Sequence, residues 1–150
     1  VACSGGGEFP NNDARETLMS YDGTVEHMRR IVAVMFHDPR WAEDDDYIKQ
    51  RHEMSILPGA WEATSAARFK APFRASGGTR DRSVNDLTQI RVPVLIMAGR
   101  HDRLRMPNYA EPLVASIPGA RLHVFETAGH MGNIECAEEF NERIIAFVKS

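Results

Sequence analysis

From Thr24 to about Phe36, apolar residues recur at three- and four-residue steps: Val25, Met28, Ile31, Val32, Met35 and Phe36. His27, Arg29 and Arg30 fall largely off that stripe, so the pattern predicts an amphipathic helix. His37-Asp38-Pro39 ends it, because the residue before a proline is pushed out of the helical region. A second helix is expected from about Asp44 to Ile56, its acidic start, Glu43 to Asp46, lying at the positive end of the helix dipole. A third, Ala-rich helix is expected from about Gly59 to Phe69. Before these, residues 1 to 23 read as a connector rich in Gly, Asn, Asp and Pro, with "GGGEFPNND" as loop. After them, Gly77-Gly78 and the polar run to Asp86 read as a linker.

The period then changes. Val92 to Gly99, "VPVLIMAG", is a continuous apolar run closed by Gly, as expected for a strand buried on both faces. Helical spacing returns from Asn108 to Ile117, "IPGA" stops it, and Arg121 to Glu126, "RLHVFE", reads as another strand. A terminal amphipathic helix is expected from Glu135 to Val148, carrying Ala137, Phe140, Ile144, Ile145, Phe147 and Val148. Strand, helix, strand, helix is the signature of an α/β unit with parallel strands.

Composition agrees with this picture and removes several classes of function. The 150 residues are 43% hydrophobic and 26% charged, which suits one globular domain. Eighteen basic and 21 acidic residues give a net charge of -3 with no basic run, so neither nucleic acid nor an anionic membrane is an expected partner. There is no run of about 18 apolar residues for a membrane span, nor a basic-then-apolar leader among the first residues. The two cysteines, Cys3 and Cys136, stand apart from any metal-ligand spacing, and such usage fits a reducing cytoplasm. His37, His52, His101 and His123 are scattered, so no metal site and no cofactor is expected.

Candidate chemistry gathers at the ends of the two strands, where a parallel sheet presents its functional groups. Gly99-Arg100-His101-Asp102 follows the first and Ala128-Gly129-His130 the second. Asp102 could accept from His130 Nδ1–H and stabilise the imidazolium that forms when the ring takes a proton, two-thirds of a Ser-His-Asp relay. Simpler roles exist: Asp102 as a helix cap, His130 bonded to loop backbone. Ala2-Cys3-Ser4-Gly5-Gly6 fits a relaxed G-x-S-x-G elbow, which would make Ser4 a nucleophile. The elbow needs a strand before the serine and a helix after it, and here only three residues precede Ser4 and a loop follows. Ser4 is therefore expected to bond its own loop, the stretch being the tip of a further strand.

The segments "VPVLIMAGRHDRLRMP" and "ARLHVFETAGHMGNIECAEEF", with a helix between and after, resemble the C-terminal part of the α/β-hydrolase superfamily. The resemblance implies Asp102 as the catalytic acid and His130 as the general base. "YDGTVEHMRRIVAVMFHDP" and "YIKQRHEMSILPGAWEA" are similar to the helical cap of hydrolases that cleave carbon-carbon bonds in aromatic ring-fission products (meta-cleavage product hydrolases). That similarity implies Arg51 as the cap arginine that binds a substrate carboxylate, a role suited to a permanently charged, bidentate guanidinium. Arg51 could instead be a solvated helix residue paired with Asp46 or Glu53. Where that family often has an aromatic residue after the histidine, Met131 stands here.

The expected architecture is the end of a core strand and connector over 1–15, a helical cap over 16–85 and the C-terminal part of a hydrolase core over 86–150. The serine elbow is expected upstream of Val1, in a missing N-terminal half or another subunit, which joins a small-molecule substrate as the expected partner. The intact protein is expected to be a serine-type hydrolase acting on a carboxylate-bearing ring-cleavage product or an ester. The other class kept open is a noncatalytic remnant or ligand-binding module.

Overall fold

A computed structural model of the chain describes residues 1–5, 10–69 and 86–150. Three parallel strands, β1 (Ala2–Cys3), β2 (Leu95–Gly99) and β3 (Arg121–Phe125), lie in the order β1-β2-β3. Ala2 is paired with Ile96 and Cys3 with Met97; on the other side Leu95 faces Arg121 and Gly99 faces Phe125. All five residues of β2 are buried, as its unbroken apolar run requires. The side-chain alternation of a strand sends Ile96 and Ala98 to one face and Leu95 and Met97 to the other. The first face packs on Tyr109, Ala110 and Ile117, the second on Phe125 and Ala128 with Phe140, Ile144 and Phe147 beside them.

β2 is shorter than the apolar run that predicts it. Pro93 has no N–H to give a ladder and Val92 is exposed, so pairing begins where Arg121 N–H reaches the Val94 carbonyl at 2.9 Å. The helix expected over 108–117 shrinks to Ala110–Ala115, because Asn108 sits at a φ of 54° and cannot be its first turn. The terminal helix expected over 135–148 is Ala137–Lys149, and a separate one-turn helix, Gly132–Glu135, precedes it in the expected loop, set apart by Cys136, whose φ and ψ of -124° and 48° are not helical.

The helical part follows its sequence pattern closely at α2 (Val25–Met35), α4 (Asp45–Ser55) and α5 (Ala60–Phe69). Thr24 caps α2 by accepting from His27 N–H, and Asp44 caps α4 by accepting from Tyr47 N–H. Two further helices lie outside the expected ones. α1 (Asp13–Met19) forms inside the expected connector, with Asn12 accepting from Arg15 N–H as its cap. Its buried Ala14 and Leu18 join the cluster of Met28, Ile31, Val32 and Ile48, so it belongs with the helices and crosses the boundary expected at residue 15. α3 (Arg40–Glu43) follows Pro39, whose fixed φ suits the start of a helix, while α2 has already ended at Met35 with an extended Phe36. The remaining helices are labelled α6 (Ala110–Ala115), α7 (Gly132–Glu135) and α8 (Ala137–Lys149). Met28, Met35 and Met97 are buried in the core, whereas Met54 is exposed on α4. The expected Gly77-Gly78 linker lies outside the described residues.

Leu104, from the loop after β2, is buried in the helical cluster, and Met131 and Ile134 pack against it. The helical layer therefore rests directly on the loops at the carboxyl ends of β2 and β3.

Candidate active site

The turns after β2 and β3 are knitted to each other. Arg100 N–H donates to the Phe125 carbonyl at 2.9 Å and His101 N–H to the Ala128 carbonyl at 3.0 Å. They approach so closely that a Cβ on Gly99 would stand 1.8 Å from the Gly129 carbonyl oxygen. This rim brings Asp102 and His130 together: His130 Nδ1 and Asp102 Oδ2 lie 2.8 Å apart. The other carboxylate oxygen, Oδ1, accepts from Leu104 N–H at 2.9 Å. With both oxygens occupied and only 2% of the side chain exposed, Asp102 has little freedom to turn. The Asp102 carboxylate can only accept, so the geometry puts the Nδ1 proton on His130 and leaves Nε2 able to accept one. The ring is 17% exposed and Nε2 has no hydrogen-bond partner among the described residues. A carboxylate-backed imidazole with an open Nε2 can move a proton to and from a neighbouring oxygen.

His130 is held by its main chain from two sides. Its N–H donates to the Met35 carbonyl of α2 at 2.7 Å, and its own carbonyl accepts from Ser4 Oγ at 2.8 Å. Ser4 is buried at the tip of β1 in a left-handed conformation, φ 50°. Its carbonyl in turn accepts from Arg105 Nε and Nη2 at 3.0 and 2.8 Å. Ser4 thus supports the histidine's backbone from the sheet, and its hydroxyl is engaged on a carbonyl oxygen. Burial pushes the neighbouring Cys3 thiol up, the Asp102 charge adds to this, and hydrogen bonds from Ser4 and the Asn133 backbone oppose it. The thiol stays protonated at neutral pH, which argues against a thiolate nucleophile there. Tyr109 is likewise pushed up to about 12 by burial and by the Asp102 charge, against the opposing charge of Arg105.

Arg51 lies one turn beyond Tyr47 on α4, half-buried. Burial raises the Tyr47 phenol, and the Arg51 charge opposes that rise. Glu53, one of its expected alternatives, pairs with Lys49 at 4.0 Å, and Arg51 makes no ion pair among the described residues. The structure does not bring Arg51 into hydrogen-bonding contact with Asp102 or His130. Among the described residues no three His, Cys, Asp or Glu side chains cluster in a way that could hold a metal ion. No described helix is long and apolar enough to cross a membrane.

Glu135 carries no signal of its role in the sequence. Its Oε1 accepts from the N–H groups of His37 at 2.6 Å and Asp38 at 3.1 Å, and its Oε2 from Gly129 N–H at 2.7 Å. These partners are main-chain groups, which leave no mark on the identity of the residues that carry them. Beside this clamp the rings of His37 and His101 stack at 3.7 Å and 10°, a further contact between the helical layer and the rim.

A parallel sheet with an acid after one strand, a histidine after the next and a helical layer over both is the arrangement of the α/β-hydrolases, and the chain belongs to the alpha/beta hydrolase family, whose model matches residues 2–143. It is 34% identical over 146 residues to a 2-hydroxymuconate semialdehyde hydrolase of Pseudomonas putida, covering 95% of this chain and 50% of that protein. With a 2-hydroxy-6-oxononadienedioate/2-hydroxy-6-oxononatrienedioate hydrolase 2 of Pseudomonas putida the identity is 40% over 132 residues, 84% of this chain and 42% of that protein. A solved meta-cleavage product hydrolase from Pseudomonas fluorescens IP01 superposes with a TM-score of 0.79 at 25% identity, covering 98% of this chain and 54% of its own. The chain spans about half the length of the curated relatives it matches.

Proposed function

We propose that this chain carries the acid and the general base of a serine-type hydrolase that cleaves a carbon-carbon bond in a carboxylate-bearing ring-cleavage product. The observation that carries the reading is the Asp102 and His130 pair: a 2.8 Å contact to a buried carboxylate, with Nε2 of the ring left open. The names of the relatives, hydrolases of hydroxymuconate and oxo-dienoate compounds, support the substrate class.

In this reading His130 Nε2 takes the proton of a serine hydroxyl or of the substrate itself, and Asp102 holds the ring and offsets its charge. In this reading the serine and the oxyanion donors come from outside the residues described, in a further segment or another subunit. The proton returns from His130 to the leaving carbon or oxygen, and water releases the acyl group. The helices α1 to α5 act as a cap, and Arg51 orients the substrate carboxylate through its donor fork.

The test is turnover of 2-hydroxymuconate semialdehyde by the protein made from its complete reading frame, with a p-nitrophenyl ester in parallel. Hydrolysis of the semialdehyde well above the ester supports the reading. Hydrolysis of the ester alone assigns an esterase, and binding without turnover of either assigns a ligand-binding module.

A further inference from the structure

Glu135 ends the one-turn helix α7, five residues after His130, and its side chain turns back across the seam between the helical layer and the sheet. One oxygen takes the N–H groups of His37 and Asp38, just beyond the end of α2, while the other takes that of Gly129, the residue before His130. The direct bond from His130 N–H to the Met35 carbonyl already joins these two segments at one point. A single hydrogen bond is a pivot. A second attachment, displaced along both segments, stops rotation about it, and charge-assisted bonds are the stronger kind. The fit is close as well, since a Cβ on Gly129 would come within 2.7 Å of the Met35 carbonyl oxygen and 2.9 Å of His37 N.

We infer that Glu135 is a positioning residue, whose carboxylate locks the turn bearing His130 to the end of the cap helix α2, so that the seating of the cap sets the alignment of the His130 ring on Asp102. The inference deepens the proposed function and rests on His130 being its base. Ser4 fixes the same residue from the sheet through the His130 carbonyl, so the histidine is strung between two layers and Glu135 governs only the cap side. Displacement of the cap by a ligand is thereby transmitted to the imidazole without any contact between ligand and ring.

Glu135→Gln is the discriminating variant. The amide keeps one accepting oxygen and turns an NH2 group toward an N–H donor, so one side of the clamp must open. Glu135→Asp keeps the charge but is one methylene too short to reach both segments. In the 15N-labelled complete protein, either variant is expected to speed amide exchange at His37, Asp38 or Gly129 by about tenfold or more while Met97 and Ala98 in β2 keep their protection. The His130 Nδ1–H resonance is expected to broaden or disappear in the same sample. An unchanged Nδ1–H signal alongside faster exchange makes Glu135 a tie between layers with no hold on the ring, and overturns the inference. Equal loss of protection in β2, or loss of the folded spectrum, makes it a general stability element and overturns it too. In the complete protein kcat is expected to fall about tenfold with KM unchanged. The resonance measurements need no turnover, so failure of the hydrolase reading leaves them interpretable.

Discussion

The main-chain N–H of His130 donates to the carbonyl of Met35 at 2.7 Å, which makes the last turn of α2 part of the frame around the imidazole. That contact exists only because Gly129 has no side chain. A Cβ there would stand 2.7 Å from the same carbonyl oxygen and 2.9 Å from His37 N, both backbone atoms with no rotamer to give. Gly129→Ala is therefore expected to cost about 2 kcal/mol or more in unfolding free energy, a typical overpacking cost. Denaturant unfolding of the two proteins checks this, and a cost below about 0.5 kcal/mol would mean that the seam is looser than described.

Arg51 offers a selective prediction. If its guanidinium holds the substrate carboxylate, Arg51→Gln removes a charge-assisted pair and lowers kcat/KM for a carboxylate-bearing substrate by about 30- to 100-fold. A neutral ester should change by less than about threefold. Steady-state kinetics on both substrates decide: similar losses assign Arg51 to a structural role beside Tyr47 on α4.

The Asp22 carboxyl gives a pH signature in the helical layer. Hydrogen bonds from the Thr24 hydroxyl at 2.7 Å and Thr24 N–H at 3.0 Å, with a lesser part from His27, hold it down at about 2. A carboxylate whose folded value is lowered adds stability above its ordinary range, and that contribution is lost as pH falls through the folded value. Asp22→Ala should therefore lower Tm at neutral pH, and the gap to the unaltered protein should narrow as pH falls from 3.8 toward about 2. Thermal melts across that range test it; a gap that does not narrow contradicts the assignment.

The parts of this molecule legible in its sequence are those where burial has one direction. β2 is covered on both faces and reads as an unbroken apolar run, and α2 buries one stripe and reads as a three-four repeat. Asp102 stands out because it follows the β2 run, and His130 because it follows the next strand, β3. α1 was hidden by the Gly, Pro and Asn around it, although Asn12 followed by Asp13 and Glu16 is a helix start in its own right. Backbone exceptions such as Asn108 and Cys136, which shorten or break the last helices, carry no hydrophobic signal. The support of His130 was not legible because it comes from far along the chain: Glu135 reaches His37 across 98 positions and Ser4 reaches the His130 carbonyl across 126. Both meet main-chain atoms, which every residue type supplies alike.

In the proposed function His130, backed by Asp102, moves the proton in the hydrolytic step. The most direct measurement is kcat for 2-hydroxymuconate semialdehyde with the His130→Ala and Asp102→Asn forms of the complete protein, each confirmed as folded by circular dichroism. A fall of about a thousandfold or more is expected for each, with substrate still bound. Turnover of His130→Ala near that of the unaltered protein would contradict it.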